Sequence, residues 1–256
     1  MSLSSFDLSG MTALVTGGGL GMGRGMALAL AKAGADVAVV SRTPSDLEAV
    51  AGEIRGLGRR GLAVPADVSD VDAIRRMVDT VAAEFGRIDI LVTAAGIIIR
   101  NAAVGYTPED WDRLMSINLK GRYFTCQAVG ERMLAQGSGS IINLGSLTTA
   151  VGIPGVAIYA VANGGIAQLT RTLAAEWTPG GVRVNCIAPG TFVTRTTEGL
   201  LADPAQTASR LRRIPLGRFG DPAADLDGAV VYLASPASAY VSGVIFYVDG
   251  GSMAAY

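Results

Sequence analysis

A glycine run, Thr16-Gly17-Gly18-Gly19-Leu20-Gly21-Met22-Gly23, stands between an apolar strand-like segment and an amphipathic helical one. A turn of this kind lets backbone N–H groups approach a pyrophosphate, and the helix N-terminus behind it favours negative charge. The interval from Gly17 to Gly21 is wider than the first interval of the common G-x-G-x-x-G pattern, and a tight turn without a ligand has a similar composition. The position after a first strand and before a helix favours the dinucleotide reading. At the end of the second strand-like segment stand Ser41 and Arg42, where NAD-preferring folds often carry an acid. A guanidinium suits a 2′-phosphate that a carboxylate would repel, so NADP(H) is favoured over NAD(H). A solvated arginine at the start of a helix is the alternative. The chain contains no histidine, so the commonest metal ligand and general base is missing and acid–base chemistry must run without it.

These residues need a frame, and the hydropathy pattern provides one. Of the 256 residues half are apolar and 17% charged, which is ample for one sizeable core. Strands are predicted at residues 12–16, 36–41, 62–66, 88–93, 140–144, 182–187 and 244–248. Helices are predicted at residues 22–33, 44–57, 71–85, 108–134, 156–177 and 224–233. Strands alternating with helices imply a parallel sheet covered on both faces. No linker divides the series, so residues 1–256 are expected to form one domain. Weak periodicity from about Thr191 to Asp221 marks a lid or binding loop, or a helical insertion serving only packing.

The chain resembles the short-chain dehydrogenase/reductase family over nearly its whole length. The resemblance is carried by Thr16-Gly17-x-x-x-Gly21-x-Gly23, Asp67-Val68, Thr93-Ala94-Ala95-Gly96, Asn118, Ser146, Tyr159, Pro189-Gly190-x-x-x-Thr194 and Val248-Asp249-Gly250-Gly251. Tyr159 lies 13 residues beyond Ser146, the family interval. The resemblance implies a Rossmann-type, doubly wound parallel sheet and hydride transfer between a nicotinamide cofactor and an alcohol or carbonyl. It makes Tyr159 the general acid/base, Ser146 the hydrogen-bond donor to the reacting oxygen and Asn118 the organiser of a water in the proton path. It places Gly17, Gly19, Leu20, Gly21 and Met22 at the pyrophosphate turn, and Asp67 and Val68 beside the adenine. Ala94, Ala95 and Gly96 would pass the riboses, and Pro189, Gly190, Phe192 and Thr194 would hold the nicotinamide.

One position departs from the family pattern Tyr-x-x-x-Lys: this chain reads Tyr159-Ala160-Val161-Ala162-Asn163. Residues four apart share a helix face, so Asn163 takes the place of the lysine below Tyr159. An amide supplies hydrogen bonds to the tyrosine and ribose region but no charge. A free phenol titrates near pH ~10, so about 0.1% is ionised at neutral pH without such help. The only lysines, Lys32 and Lys120, are expected to offer no replacement, Lys120 projecting away from Asn118's face. Asn163 therefore fits an enzyme working chiefly as a reductase, a replacement made to slow turnover, or a protein that binds nucleotide without catalysis.

The wording Ala95-Gly96-Ile97-Ile98-Ile99-Arg100, then Thr107-Pro108-Glu109-Asp110-Trp111, is similar to that of sugar-acid and polyol dehydrogenases. Arg100, and Arg210, Arg212, Arg213 and Arg218 of the 191–221 segment, could meet an anionic substrate or be solvated surface charges, and Val151, Ile153 and Val156 could line a pocket for an apolar ketone. The expected substrate is a small alcohol or carbonyl compound. A formal net charge of −1 without a basic block argues against nucleic acid, and no apolar run reaches the roughly 18 residues of a membrane span. With no leader-like start and only two cysteines, Cys126 and Cys186, the chain reads as cytoplasmic. No metal site is expected. The apolar helices around residues 111–134 and 156–177 and the apolar C-terminal tail, together with the resemblance, imply a homotetramer.

Overall fold

Seven short apolar segments pair side by side in the computed structural model, which describes residues 4–194, 197, 199 and 202–255. They are β1 (Thr12–Thr16), β2 (Asp36–Ser41), β3 (Gly61–Pro65), β4 (Ile90–Thr93), β5 (Gly139–Leu144), β6 (Val182–Pro189) and β7 (Ile245–Val248). All the pairings are parallel, in the order β3-β2-β1-β4-β5-β6-β7. Parallel strands require crossover connections, and helices provide them on both faces. Those helices are α1 (Gly21–Lys32), α2 (Pro44–Gly56), α3 (Val71–Phe85), α4 (Pro108–Met115), α5 (Arg122–Gln136), α6 (Ala157–Trp177), α7 (Pro204–Leu211) and α8 (Asp227–Ala234). The result is a Rossmann-type doubly wound sheet, as the alternating pattern implies.

The two-residue period of each strand sorts side chains into two cores. Ala13 and Val15 of β1 join Met26 and Leu30 of α1 and Val230 of α8 on one face. Leu14, between them, joins Ile74 and Met77 of α3 and Cys126 and Val129 of α5 on the other. All five residues of β1 are buried, which is why the strand reads as a continuous apolar run rather than an alternation. Strand order reverses between β1 and β4, whose C-terminal ends open the crevice where ligands of such sheets bind.

Two predicted elements differ from the observed ones. The helix expected over residues 108–134 is divided: α4 ends at Met115, a π-helical turn runs Ser116–Gly121, and α5 begins at Arg122. A wider turn of this kind redirects side chains, and here it brings Asn118 inward while Gly121 packs on the Val68 carbonyl with no room for a Cβ. Within the segment expected to be irregular, α7 is an eight-residue helix, and residues 195, 196, 198, 200 and 201 of that segment lie outside the described residues. Among the described residues no helix is long and apolar enough to cross a membrane.

Candidate active site

The glycine turn closes the sheet's crevice from the β1 side. Gly17 and Gly21 adopt φ of +70° and +55°, conformations that favour glycine. A Cβ on Gly17 would stand 2.6 Å from the Ala95 backbone nitrogen, and one on Gly23 would overlap the Gly17 carbonyl. The turn can therefore pass close under the β4 loop only because these side chains are absent. Leu20 is the N-cap of α1 and has no side-chain cap bond, so the first N–H groups of that helix lack a side-chain partner at the cap. These features fit a pyrophosphate.

At the end of β2, a Cβ on Gly19 would come within 3.1 Å of the Ser41 hydroxyl, and Arg42 Nη1 lies 4.0 Å from Asp67 Oδ2. The Arg42 guanidinium is largely exposed beyond the end of β2. Partial burial works to raise the Asp67 carboxyl, but hydrogen bonds from the Ser69 N–H and hydroxyl, together with Arg42, hold it below its ordinary value. Val68 is buried beside it. The structure thus gathers Gly19, Ser41, Arg42, Asp67 and Val68 around the ends of β1, β2 and β3.

At the other end, a cavity of about 190 Å³ is lined by Met22, Ala94, Gly96, Ser146, Tyr159, Pro189, Gly190, Phe192 and Thr194, among others. Ser146 ends the β5 extension, and its hydroxyl accepts a 3.3 Å hydrogen bond from the Thr148 N–H. Tyr159 comes from the first turn of α6, and among the described residues no hydrogen bond engages its hydroxyl. Thr148 lines the same cavity with a buried hydroxyl that has no partner among the described residues. A buried polar atom of this kind marks a place for a ligand's own hydrogen bond. On the far wall, Thr194 reaches over the glycine turn, with its Cγ2 at 3.8 Å from a Cβ position on Gly21. Phe192 is buried, and its ring covers Gly220 so closely that a Cβ there would lie 2.6 Å away.

Asn118 and Asn163 sit behind this wall rather than in it. Asn118 accepts from the Ile97 N–H at 2.9 Å and donates to the Ile97 carbonyl at 2.8 Å, which pins the loop after β4. Asn163 is buried on α6 and donates to the Tyr159 carbonyl at 2.9 Å, so its amide is turned onto its own helix. Lys120 is exposed and lines a separate apolar groove with Tyr123, as expected.

Charge in the cavity comes from arginines. Arg100, Arg122 and Arg210 all line it, no carboxylate does so among the described lining residues, and none of the three belongs to a described ion pair. Partial burial and the neighbouring Arg210 charge lower the Arg100 guanidinium, while Tyr159 and Tyr106 oppose that shift. Arg122 is the residue that sequence reasoning missed. Its spacing of four from Asn118 was a signal for a shared face, but the type alone pointed to the surface. Among the described residues no cluster of acidic, cysteine or histidine side chains is placed to hold a metal ion.

Comparison with known proteins finds relatives over nearly the whole chain. A family model described as enoyl-(acyl carrier protein) reductase (adh_short_C2) matches residues 18–253. The 2-dehydro-3-deoxy-D-gluconate 5-dehydrogenase of Escherichia coli (strain K12) is 43% identical over 99% of this chain and 100% of its own length. The D-threitol dehydrogenase of Mycolicibacterium smegmatis is 40% identical, covering 96% of this chain and 94% of its own. A gluconate 5-dehydrogenase from Burkholderia cenocepacia J2315, solved in complex with NADP and tartrate, superimposes with a TM-score of 0.96 at 37% identity, covering 100% of each chain.

Proposed function

The chain belongs to the short-chain dehydrogenase/reductase family, as an oxidoreductase acting on CH–OH groups, and within it we propose an NADP(H)-linked enzyme of small sugar acids. The observation that carries the substrate class is the pair Arg100 and Arg210. Two guanidinium groups face one cavity with no carboxylate among its described lining residues, and like charges held together gain most from an anionic partner. The names of the gluconate and deoxygluconate relatives support the same class.

Bound in the crevice, the nicotinamide cofactor supplies or accepts a hydride. Gly17, Gly19, Leu20, Gly21 and Met22 would hold its pyrophosphate, and Ser41 and Arg42 its 2′-phosphate, with Asp67 and Val68 beside the adenine. Ala94, Ala95 and Gly96 would line its riboses, and Pro189, Gly190, Phe192 and Thr194 its nicotinamide. In the reductive direction Tyr159 gives its hydroxyl proton to the carbonyl oxygen, and Ser146 donates a hydrogen bond to that oxygen. A neutral phenol already carries the proton this direction needs, which fits a site with Asn163 in the place of a cation. Asn118 keeps the loop after β4 in place beneath the reacting groups. The described residues of the 191–221 segment that line the cavity, Arg210 of α7 among them, would cover the substrate.

A second reading, a neutral polyol as substrate, is favoured by the aliphatic wall of Leu147, Ile153 and Val156 and by the threitol dehydrogenase relative. Steady-state turnover of keto-sugar acids against uncharged ketoses separates the two. We expect Arg100→Ala and Arg210→Ala each to raise KM for the acids about tenfold or more, with KM for uncharged substrates unchanged. Equal effects on both classes would favour the polyol. Nucleotide binding without turnover of either class would return the chain to a catalytically impaired binding protein.

We also infer a homotetramer. Trp111, Tyr123 and Val161 are 42%, 41% and 51% exposed on α4, α5 and α6, and Met115, Leu119, Phe124 and Leu169 line an apolar groove beside them.

A further inference from the structure

We propose that Arg122 supplies the buried positive charge that serves Tyr159 in proton exchange, and that this is what allows a neutral asparagine at position 163. The inference rests on the oxidoreductase reading above and extends it to the group that assists the tyrosine.

Arg122 is the first residue of α5, delivered inward by the π-helical turn, and only 6% of it is exposed. Its Nε and Nη2 donate to the Ala95 carbonyl at 3.2 and 3.0 Å, and its Nη1 donates to the Leu144 carbonyl. Those two carbonyls lie just past β4 and at the end of β5, so the guanidinium is clamped in the wall of the cavity that it lines together with Ser146 and Tyr159. Its Nη2 stands 2.9 Å from where a Cβ on Gly96 would be, so glycine is what leaves room for it. Three of the five N–H donors of the guanidinium are used in this clamp, which leaves two for the cavity.

A buried cation without a carboxylate is expensive, and folds keep one only where it is compensated or used. Burial lowers the Arg122 guanidinium, and Tyr159, Cys186 and Cys126 act in the opposite direction. The two thiols, however, are pushed up to about 12 by burial and so stay protonated at neutral pH. That leaves Tyr159 as the one neighbour of the three whose ionisation belongs to the proposed chemistry. Among the described residues, the other charges lining the cavity with Tyr159 are Arg100 from the loop after β4 and Arg210 from α7. Arg100 is exposed, so water screens its field, whereas the field of Arg122 acts through the protein interior. Tyr106 faces Arg100 and ties down the same loop through the Ile99 and Gly155 carbonyls. Arg122 acts on the reaction through Tyr159 and is a positioning residue in this sense.

The test is an ultraviolet titration of tyrosinate in the intact chain, with Tyr159→Phe subtracted so that only Tyr159 is read, for wild type, Arg122→Met, Arg122→Lys and Arg122→Met/Asn163→Lys. The phenolate signal is expected to move about one pH unit alkaline in Arg122→Met, which is a tenfold loss of phenolate at a given pH. Arg122→Lys should retain the wild-type position, and Asn163→Lys should restore it in the Arg122→Met background. The pH–rate profile of alcohol oxidation should follow the same order. A signal that stays in place in folded Arg122→Met overturns the inference. So does an Asn163→Lys shift of the same size with and without Arg122. Where Arg122→Met fails to fold, Asn163→Lys alone decides: a shift under ~0.3 unit supports the inference, and any larger one overturns it. If the wild type turns over no sugar acid or polyol, the functional reading fails while the titration still decides this inference.

Discussion

Arg42 lies at the end of β2 with its guanidinium largely exposed and Asp67 as a distant, weak partner. Little holds it to the protein, so it is free to meet a 2′-phosphate. Arg42→Ala is expected to weaken NADPH binding about tenfold to a hundredfold and to leave NADH binding unchanged. Fluorescence titration with both nucleotides checks this, and tighter NADH binding with no effect of Arg42→Ala on NADPH would reverse the cofactor assignment. Residue types and intervals made much of this site readable. Ser146 and Tyr159 do come from different elements and line one cavity, and Gly17 and Gly23 are glycines because the turn passes under the β4 loop. Arg122 was unreadable because an arginine's burial depends on carbonyls that only the folded sheet brings to it.

Elements bounded by glycine, or by strand-length apolar runs, were readable to within a residue or two. β1, β2 and α3 have the predicted limits because the apolar runs of the strands and the capping of α3 by Asp70 and Gly86 are written in the local sequence. The break between α4 and α5 left no such mark. It depends on Asn118 bonding to Ile97 and on Gly121 packing against Val68, contacts between distant parts of the chain. The segment before α8 gives an acid-stability prediction. Bidentate bonding to Arg218 and the Asp221 N–H hold the Asp225 carboxyl down, from 3.8 to about 2. A folded value below the unfolded one stabilises above about pH 4, and that stability is lost as the pH falls towards 2. Solvent at the exposed Arg218 screens the pair, so its contribution is small. Asp225→Asn should therefore lower the melting temperature at neutral pH but not near pH 2; an equal loss at both would show that the pairing is not electrostatic.

At the scale of the whole molecule, the sheet buries its central strands between helices, and one helical layer still presents aromatic and aliphatic surface to water. A tetramer would cover the exposed faces of α4, α5 and α6. Sedimentation is expected to find four chains per particle, and Tyr123→Glu, which places a charge on that face, to release smaller species. A single chain at micromolar concentration would refute the assembly. The same frame holds the two ends of the site apart: Arg42 and Asp67 at the edge of the glycine turn, and Tyr159, Ser146 and the arginines over β4 to β6. That separation suits an extended dinucleotide whose reactive end meets a small acid.

The measurement that bears most directly on this account is NADP(H)-linked turnover of gluconate and its keto form by the intact chain, with Tyr159→Phe beside it. The account predicts turnover by the wild type and a loss of about a hundredfold or more in Tyr159→Phe, with NADPH binding retained. Equal rates in the two proteins, or NADPH binding with no turnover of any sugar acid or polyol, would contradict it.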